Sequence, residues 1–227
     1  KNMNYVIGSI TGLVATINAA AVNTAVVGSY VVIYTATDAR GNTTSATRTV
    51  NVIDSIAPVI SLIGANPQII QVGSSYSELG ATVIDNVDVG LSAQINTSSV
   101  NTSVVGTYSV TYTATDTRGN VATPVTRTVH VVDTQTPVIT LIGASPQVIQ
   151  VGNAYTELGA SVSDNYNANL AATADTSLIN TLVVGSYSVI YRATDASGNV
   201  ATPVTRIVNV VDTTRPVITL VGTNPLM

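Results

Sequence analysis

A segment of this chain returns every 79 residues, and that interval restricts it to folds that can be strung in series. Asp54-Ser55-Ile56-Ala57-Pro58-Val59-Ile60 returns as Asp133-Thr134-Gln135-Thr136-Pro137-Val138-Ile139, and again from Asp212 to Ile218. A second block, Tyr112 to Asn120, has counterparts at Tyr34 to Asn42 and Tyr191 to Asn199. Such a period marks an array whose copies are built alike and stacked or linked, whereas an enzyme needs one irregular site. The period divides the chain into a partial unit, 1–53, that lacks its first strands, two whole units, 54–132 and 133–211, and the first strand of a further unit, 212–227. Both outer pieces stop inside a repeat, as expected of a piece of a longer array.

Within residues 133–211, short β-branched runs alternate with Gly, Pro and Asn. Residues 137–142 read as strand A, 147–151 as a short edge strand A′, 160–163 as B and 170–174 as C. Residues 186–193 follow as the penultimate strand, 195–199 as a hairpin turn and 204–211 as the last strand. Tyr187, Val189, Tyr191 and Ala193 fall on one face, which is predicted to point inward. Period-two alternation without any helical period means an all-β sandwich. Units of this size bury only about 60–65% of their unfolded surface. With no cysteine in the chain, each small core must hold by packing, by its neighbours or by a bound ion.

Composition excludes several functions. Charged residues make up 9% of the chain, the net charge is −4 and the sole lysine is Lys1. Without a basic cluster, neither nucleic acid nor an anionic membrane surface is a fitting partner. No apolar run approaches the roughly 18 residues needed to enter a bilayer as a helix, so no membrane insertion is expected. Catalysis has no foothold: there is no thiol, no phosphate-binding loop and no zinc spacing, and His130 is the only histidine. His130 aligns with Asn51 and Asn209, which fits an exposed strand face. Asp85 and Asp88 lie on one loop without an aromatic cleft, a poor match to a glycosidase pair. All aromatic residues are tyrosines. Tyr112 and Tyr191 read as core residues with the hydroxyl at the rim; a sugar-stacking platform would need clustered aromatics.

Taken together, D-T-x-x-P-V-I-T-L, E-L-G-A, D-N, G-x-Y-x-V-x-Y-x-A-T-D-x-x-G-N and V-T-R-x-V-x-V-V-D resemble bacterial immunoglobulin-like surface repeats, which are related in style to hyalin-type repeats. The resemblance spans the whole chain. It implies tandem immunoglobulin-like β-sandwich domains of seven strands, forming an extended rod on an extracellular or cell-surface bacterial protein. Each unit would add about 35–40 Å, from strands of five to seven residues plus end loops. The linker Asp133–Thr136, closed by Pro137, restricts rotation between units. No particular ligand is implied, because such modules serve adhesins, surface-layer proteins and enzyme stalks alike.

Two function classes therefore stand. One is a structural spacer or filament segment whose partners are neighbouring repeats of the same or an identical chain. The other is an adhesin module that binds glycan or protein through its loops, a role suited by the unlike B–C loops Ile7-Gly8-Ser9-Ile10 and Asp85-Asn86-Val87-Asp88. A filament could also arise by strand exchange, with residues 217–222 of one copy filling the place of the missing strand in residues 1–53 of another. Alternatively, the end pieces simply belong to neighbouring repeats of one long chain.

The acids are few, and their placement is the nearest thing to chemistry. In a sandwich of this topology the start of strand A, the B–C loop and the F–G turn share one end. Asp54, Asp85, Asp88 and Asp116 are therefore expected to crowd one end of the second unit. At the junction with the third, Glu78 is expected to meet Asp133, Asp164, Asn167 and Asp195. Carboxylates and carbonyls from several loops are what Ca²⁺ requires, a layout resembling cadherin junctions, and without a cation such acids repel. A second reading assigns Asp38, Asp116 and Asp195 to capping tight turns, with Asp54, Asp133 and Asp212 each starting a turn ahead of proline. A cation site would be strongest in unit two, since unit three replaces Asp88 with Asn167 and unit one shows Ile7 and Ile10 in place of Asp85 and Asp88. Arg48, Arg127 and Arg206 recur at the start of the last strand, expected to cover a core edge while pairing with a carboxylate or carbonyl.

Overall fold

The computed structural model describes residues 13–222. Ile7 and Ile10 lie outside the described residues. Strands β1 (Val14–Asn18), β2 (Gly28–Thr37) and β3 (Thr43–Val52) form an antiparallel sheet in that order. Then come β4 (Val59–Leu62), β5 (Gln68–Gln71), β6 (Ala81–Ile84), β7 (Gln94–Asn96), β8 (Gly106–Thr113) and β9 (Val125–Val132). The same series returns as β10 (Val138–Leu141), β11 (Gln147–Gln150), β12 (Ala160–Ser163), β13 (Thr173–Asp175), β14 (Gly185–Arg192) and β15 (Val204–Val211). No helix occurs among the described residues.

Contacts gather the described residues into two compact units. One runs up to Gly64 and includes Leu79–Asn96 and Thr111–Thr126; the other comprises Ala65–Glu78, Thr97–Val110 and the chain from Arg127 onward.

The third repeat lies wholly within the latter unit and shows the architecture most fully. Strand β10 pairs antiparallel with β12, while β11 leaves that sheet and runs parallel to β15 in a four-stranded sheet ordered β11-β15-β14-β13. The switch is made at Gly143, whose φ of 80° suits glycine and where an added Cβ would come within 2.9 Å of Leu158 Cδ1. The second repeat has the same strand orders, β4-β6 and β5-β9-β8-β7. Each of these two repeats thus has six strands, not the seven that the resemblance implied. Residues 176–184, where a further strand would lie, are turns: the Ile179 amide donates to the Thr176 carbonyl and the Val183 amide to that of Asn180.

The alternation of β14 buries the expected face. Val189 is fully buried and Tyr191 nearly so, packed with Ile139, Ile149, Ala193, Ala201 and Val208. Each of the valine and isoleucine side chains contributes about 1.5–3 kcal/mol by leaving water. Tyr30, Tyr108 and Tyr187 share another device: each hydroxyl donates to the carbonyl four residues upstream, at Val26, Val104 and Val183. This is the tyrosine corner of immunoglobulin sandwiches, which fixes how the chain turns into the penultimate strand.

Arg206 is not at a core edge but fully buried, as is Arg127. Its Nε donates to the Tyr191 hydroxyl at 2.9 Å, Nη1 to the Ala144 carbonyl at 2.5 Å, and Nη2 to the carbonyls of Ile142 and Gly159 at 2.7 and 2.8 Å. Burial is tolerated because these oxygens converge on the guanidinium. Arg127 repeats the arrangement, bonding the Ala65 carbonyl and lying 3.7 Å from Glu78 Oε1. Arg48 is exposed and lies over the Tyr34 ring, 5.6 Å from its centroid.

Glu157 completes the Arg206 network by accepting from Tyr155, Tyr191 and the Gly159 amide. Burial pushes its carboxyl up, but the two tyrosine hydroxyls, the Gly159 amide and Arg206 together hold it below the usual value. Burial and Glu157 push the Tyr155 hydroxyl well above its ordinary range. A lowered carboxyl contributes stability above its unfolded pKa of about 4.3 and loses it as pH falls through the folded value. Melting of the third repeat should therefore decline more steeply below about pH 4.3 in the wild type than in Glu157→Gln. Parallel acid limbs in the two proteins would refute the assignment.

Candidate functional site: paired three-carboxylate clusters

Three loops bring the acids together, and each aspartate is oriented by its own local turn. Asp195 opens the turn between β14 and β15, where Oδ1 accepts the Asn199 amide at 2.7 Å and Oδ2 the Asn199 side chain at 2.7 Å. Asp116 does the same with Asn120, and Asp38 with Asn42. Burial raises the Asp116 and Asp195 carboxyls, but the asparagine side-chain and backbone bonds prevail and hold both below the usual range. The turn-capping reading thus describes these residues correctly.

Asp164 follows β12, and its Oδ2 accepts the amides of Tyr166 and Asn167 at 3.1 and 2.9 Å. Asp85 binds the amides of Val87 and Asp88 in the same way, both at 2.9 Å. Asp133 and Asp54 precede the buried prolines Pro137 and Pro58. Their backbone carbonyls accept the side chains of Asn199 and Asn120. The result is two matching clusters, Asp54–Asp85–Asp116 and Asp133–Asp164–Asp195, each offering carboxylate oxygens within 4.8 Å of one another.

The remaining candidates lie elsewhere. Asp88 accepts the Thr117 amide and hydroxyl, both at 2.7 Å, tying the B–C loop to the following turn. Asn167 accepts the Ala196 amide at 3.3 Å at the same place in the third repeat. Asp88 is a loop staple outside the three-carboxylate cluster, and Asn167 makes the equivalent, longer bond with its amide oxygen. The two clusters occupy equivalent places in their repeats, with Asp133 buried where Asp54 is half-buried. Glu78 is not in the cluster with Asp133; it lies by the buried Arg127 guanidinium and accepts from the Tyr76 hydroxyl. His130 is half-buried, with Nδ1 3.0 Å from the Thr107 hydroxyl.

Sequence reasoning missed Gln71 and Gln150, which end β5 and β11. Gln71 Nε2 donates to Asp133 Oδ1 at 3.2 Å, and Gln71 Oε1 accepts the Thr134 hydroxyl at 2.9 Å. Gln150 holds Asp212 at 3.0 Å and the Thr213 hydroxyl at 2.6 Å in the same manner. Each glutamine clamps the chain where it leaves its repeat. The available signal was their recurrence in Gln-Val-Gly at the chain's own period.

Chemically, the clusters are all-oxygen, anionic donor sets of the kind that suits a hard cation. Among the described residues, no helix is long and apolar enough to cross a membrane.

The family model described as bacterial surface protein, Ig-like domain, matches residues 5–52, 60–131 and 139–210. An uncharacterized 81.3 kDa protein of Acholeplasma phage L2 is 33% identical over 189 residues, covering 76% of this chain and 25% of that protein. Hyalin of Strongylocentrotus purpuratus is 32% identical over 208 residues, 85% of this chain and 17% of its own length. Hyalin of Lytechinus variegatus is 33% identical over 210 residues, covering 86% and 39%. The chain therefore spans well under half of each relative. Among solved structures, a protocadherin gammaB7 EC3-6 cis-dimer gives a TM-score of 0.41 at 15% identity, covering 90% of this chain and 68% of that one. Fibronectin(III)-like modules of Clostridium thermocellum CbhA give 0.29 at 14% identity, covering 67% and 94%.

Proposed function

The chain belongs to the bacterial surface protein Ig-like domain family, and from that premise we propose that it is a structural spacer segment of an extracellular surface protein. The observation that carries this reading is the glutamine clamp. Gln71 and Gln150 bond the residues leaving their repeats through side chains at equivalent places, so each connection is tied to the body it leaves. A series of small folded bodies with tethered connections sets spacing and transmits tension, and neither task requires a reactive group. Single-molecule pulling tests the reading directly. The two whole repeats are expected to unfold in separate steps of equal released length, on the order of 28 nm for 79 residues at about 3.6 Å each. One merged event, or steps of unequal length, would overturn it.

A second reading, adhesion to glycan or protein, is favoured by one feature. In the loop after β6, Val87 and Val89 are 40% and 95% exposed, whereas the third repeat carries Tyr166 and Ala168 there. Binding to a glycan or matrix-protein array that is lost in Val89→Ser would establish that reading.

A further inference from the structure

We propose that Asp133, Asp164 and Asp195 hold one calcium ion and Asp54, Asp85 and Asp116 a second, and that filling the first site fastens the connection between β9 and β10. The proposal deepens the spacer reading and rests on it for its purpose, though not for its chemistry.

The observation that points to a ligand is a set of carboxylate oxygens left without donors. Asp133 is only 6% exposed. Its Oδ1 accepts the Gln71 side chain and the Gln135 amide, whereas its Oδ2 is buried with no hydrogen-bond partner. Asp164 shows the same division: Oδ2 takes two backbone amides, and Oδ1 is buried without a partner. One repeat earlier, the same two oxygens, Asp54 Oδ2 and Asp85 Oδ1, are buried and unpartnered. Turn capping accounts for Asp116 and Asp195 but leaves these four oxygens unexplained.

Burying a carboxylate oxygen without a donor is costly, and three anions within 4.8 Å repel one another. No lysine or arginine pairs with any of the six aspartates among the described residues. A trapped water could donate to two oxygens yet would leave the charge uncompensated. One divalent cation satisfies both the oxygens and the charge. An all-oxygen set without His or Cys selects a hard ion. Three carboxylates from three loops, completed by carbonyls or water, suit the irregular shell of six to eight ligands that Ca²⁺ accepts better than the strict octahedron of Mg²⁺.

The link to the connection follows from shared residues. Asp133 binds Gln71 through one oxygen and would bind the ion through the other. Asp164 shapes the loop carrying Tyr166, whose hydroxyl accepts the Val105 amide at 3.3 Å. An ion that fixes Asp133 and Asp164 therefore restrains both contacts.

The test uses the whole chain with CaCl2 or MgCl2 as the probe, followed by titration calorimetry, melting and amide exchange. Wild type is expected to bind two calcium ions with Kd about 10⁻⁴–10⁻³ M. Its melting temperature should rise on the order of 5–10 °C between chelator and about 10 mM CaCl2. Asp164→Asn should lose one site and Asp85→Asn the other, each change weakening its site at least about tenfold. In chelator both variants should melt at or above the wild type, because a like charge is gone; a merely structural aspartate would not behave so. Exchange at the Val105 amide should slow in calcium in wild type and not in Asp164→Asn. Absence of binding and of any melting shift, unchanged stoichiometry in both variants, or an equal response to MgCl2 would overturn the proposal. Equal pulling steps in chelator, combined with indifference to calcium, would leave the spacer reading intact and remove only the ion.

Discussion

Arg206→Met is expected to unfold the third repeat under conditions in which the wild type is folded, at a cost of about 3–5 kcal/mol. The guanidinium is fully buried and donates to the Ala144, Ile142 and Gly159 carbonyls and the Tyr191 hydroxyl. Methionine matches much of the volume but supplies no donor. Three of these acceptors are backbone, so no compensating substitution can remove them. A unit of this size has on the order of 4–12 kcal/mol in total, which makes the loss decisive. Arg127→Met should act equally on the second repeat, where it strips Glu78 of its cation. Arg48→Met should cost under about 1 kcal/mol, because Arg48 is exposed to water, where its contacts, including that over the Tyr34 ring, are worth little. Denaturant unfolding of the three variants checks this order. Equal midpoints for Arg48→Met and Arg206→Met would show that burial of the guanidinium does not matter.

Tyr191→Ala is expected to cost a further 3–5 kcal/mol, roughly that of a large aromatic deletion in a packed core. The ring is 1% exposed, lies 5.6 Å from the Arg206 guanidinium carbon and packs among Val189, Val208 and Ile139. Tyr191→Phe separates packing from hydrogen bonding. It keeps the ring but deprives Arg206 Nε and Glu157 of the hydroxyl, for a loss of about 1–3 kcal/mol. The two variants should therefore stand well apart in a denaturant melt. If they unfold together, the hydroxyl and not the ring holds this corner of the core. Because Arg206 and Tyr191 share one network, the double variant should cost less than the sum.

The period, the β class, the inward face of β14 and the strands from β10 to β15 were legible from the sequence, though β13 begins at Thr173 and not at 170 as expected. These features depend on alternation and on turn residues, which act over a few positions. The carboxylate gathering was half legible. Knowing that three loops share one end was enough to select Asp54, Asp85 and Asp116, and their counterparts Asp133, Asp164 and Asp195. It was not enough to exclude Asp88 and Glu78, because nothing local says whether a carboxylate turns toward its fellows or toward a Thr117 amide or a buried arginine. The arginines show the same limit. Their recurrence marked them as structural, but whether a guanidinium may be buried depends on carbonyls 47 to 64 residues away converging on it. Composition and spacing decided what this chain is made of and how often it repeats. Tertiary structure alone decided which charges meet, because that is set by the register of β11 on β15 and by the switch at Gly143, which bring distant oxygens to one point.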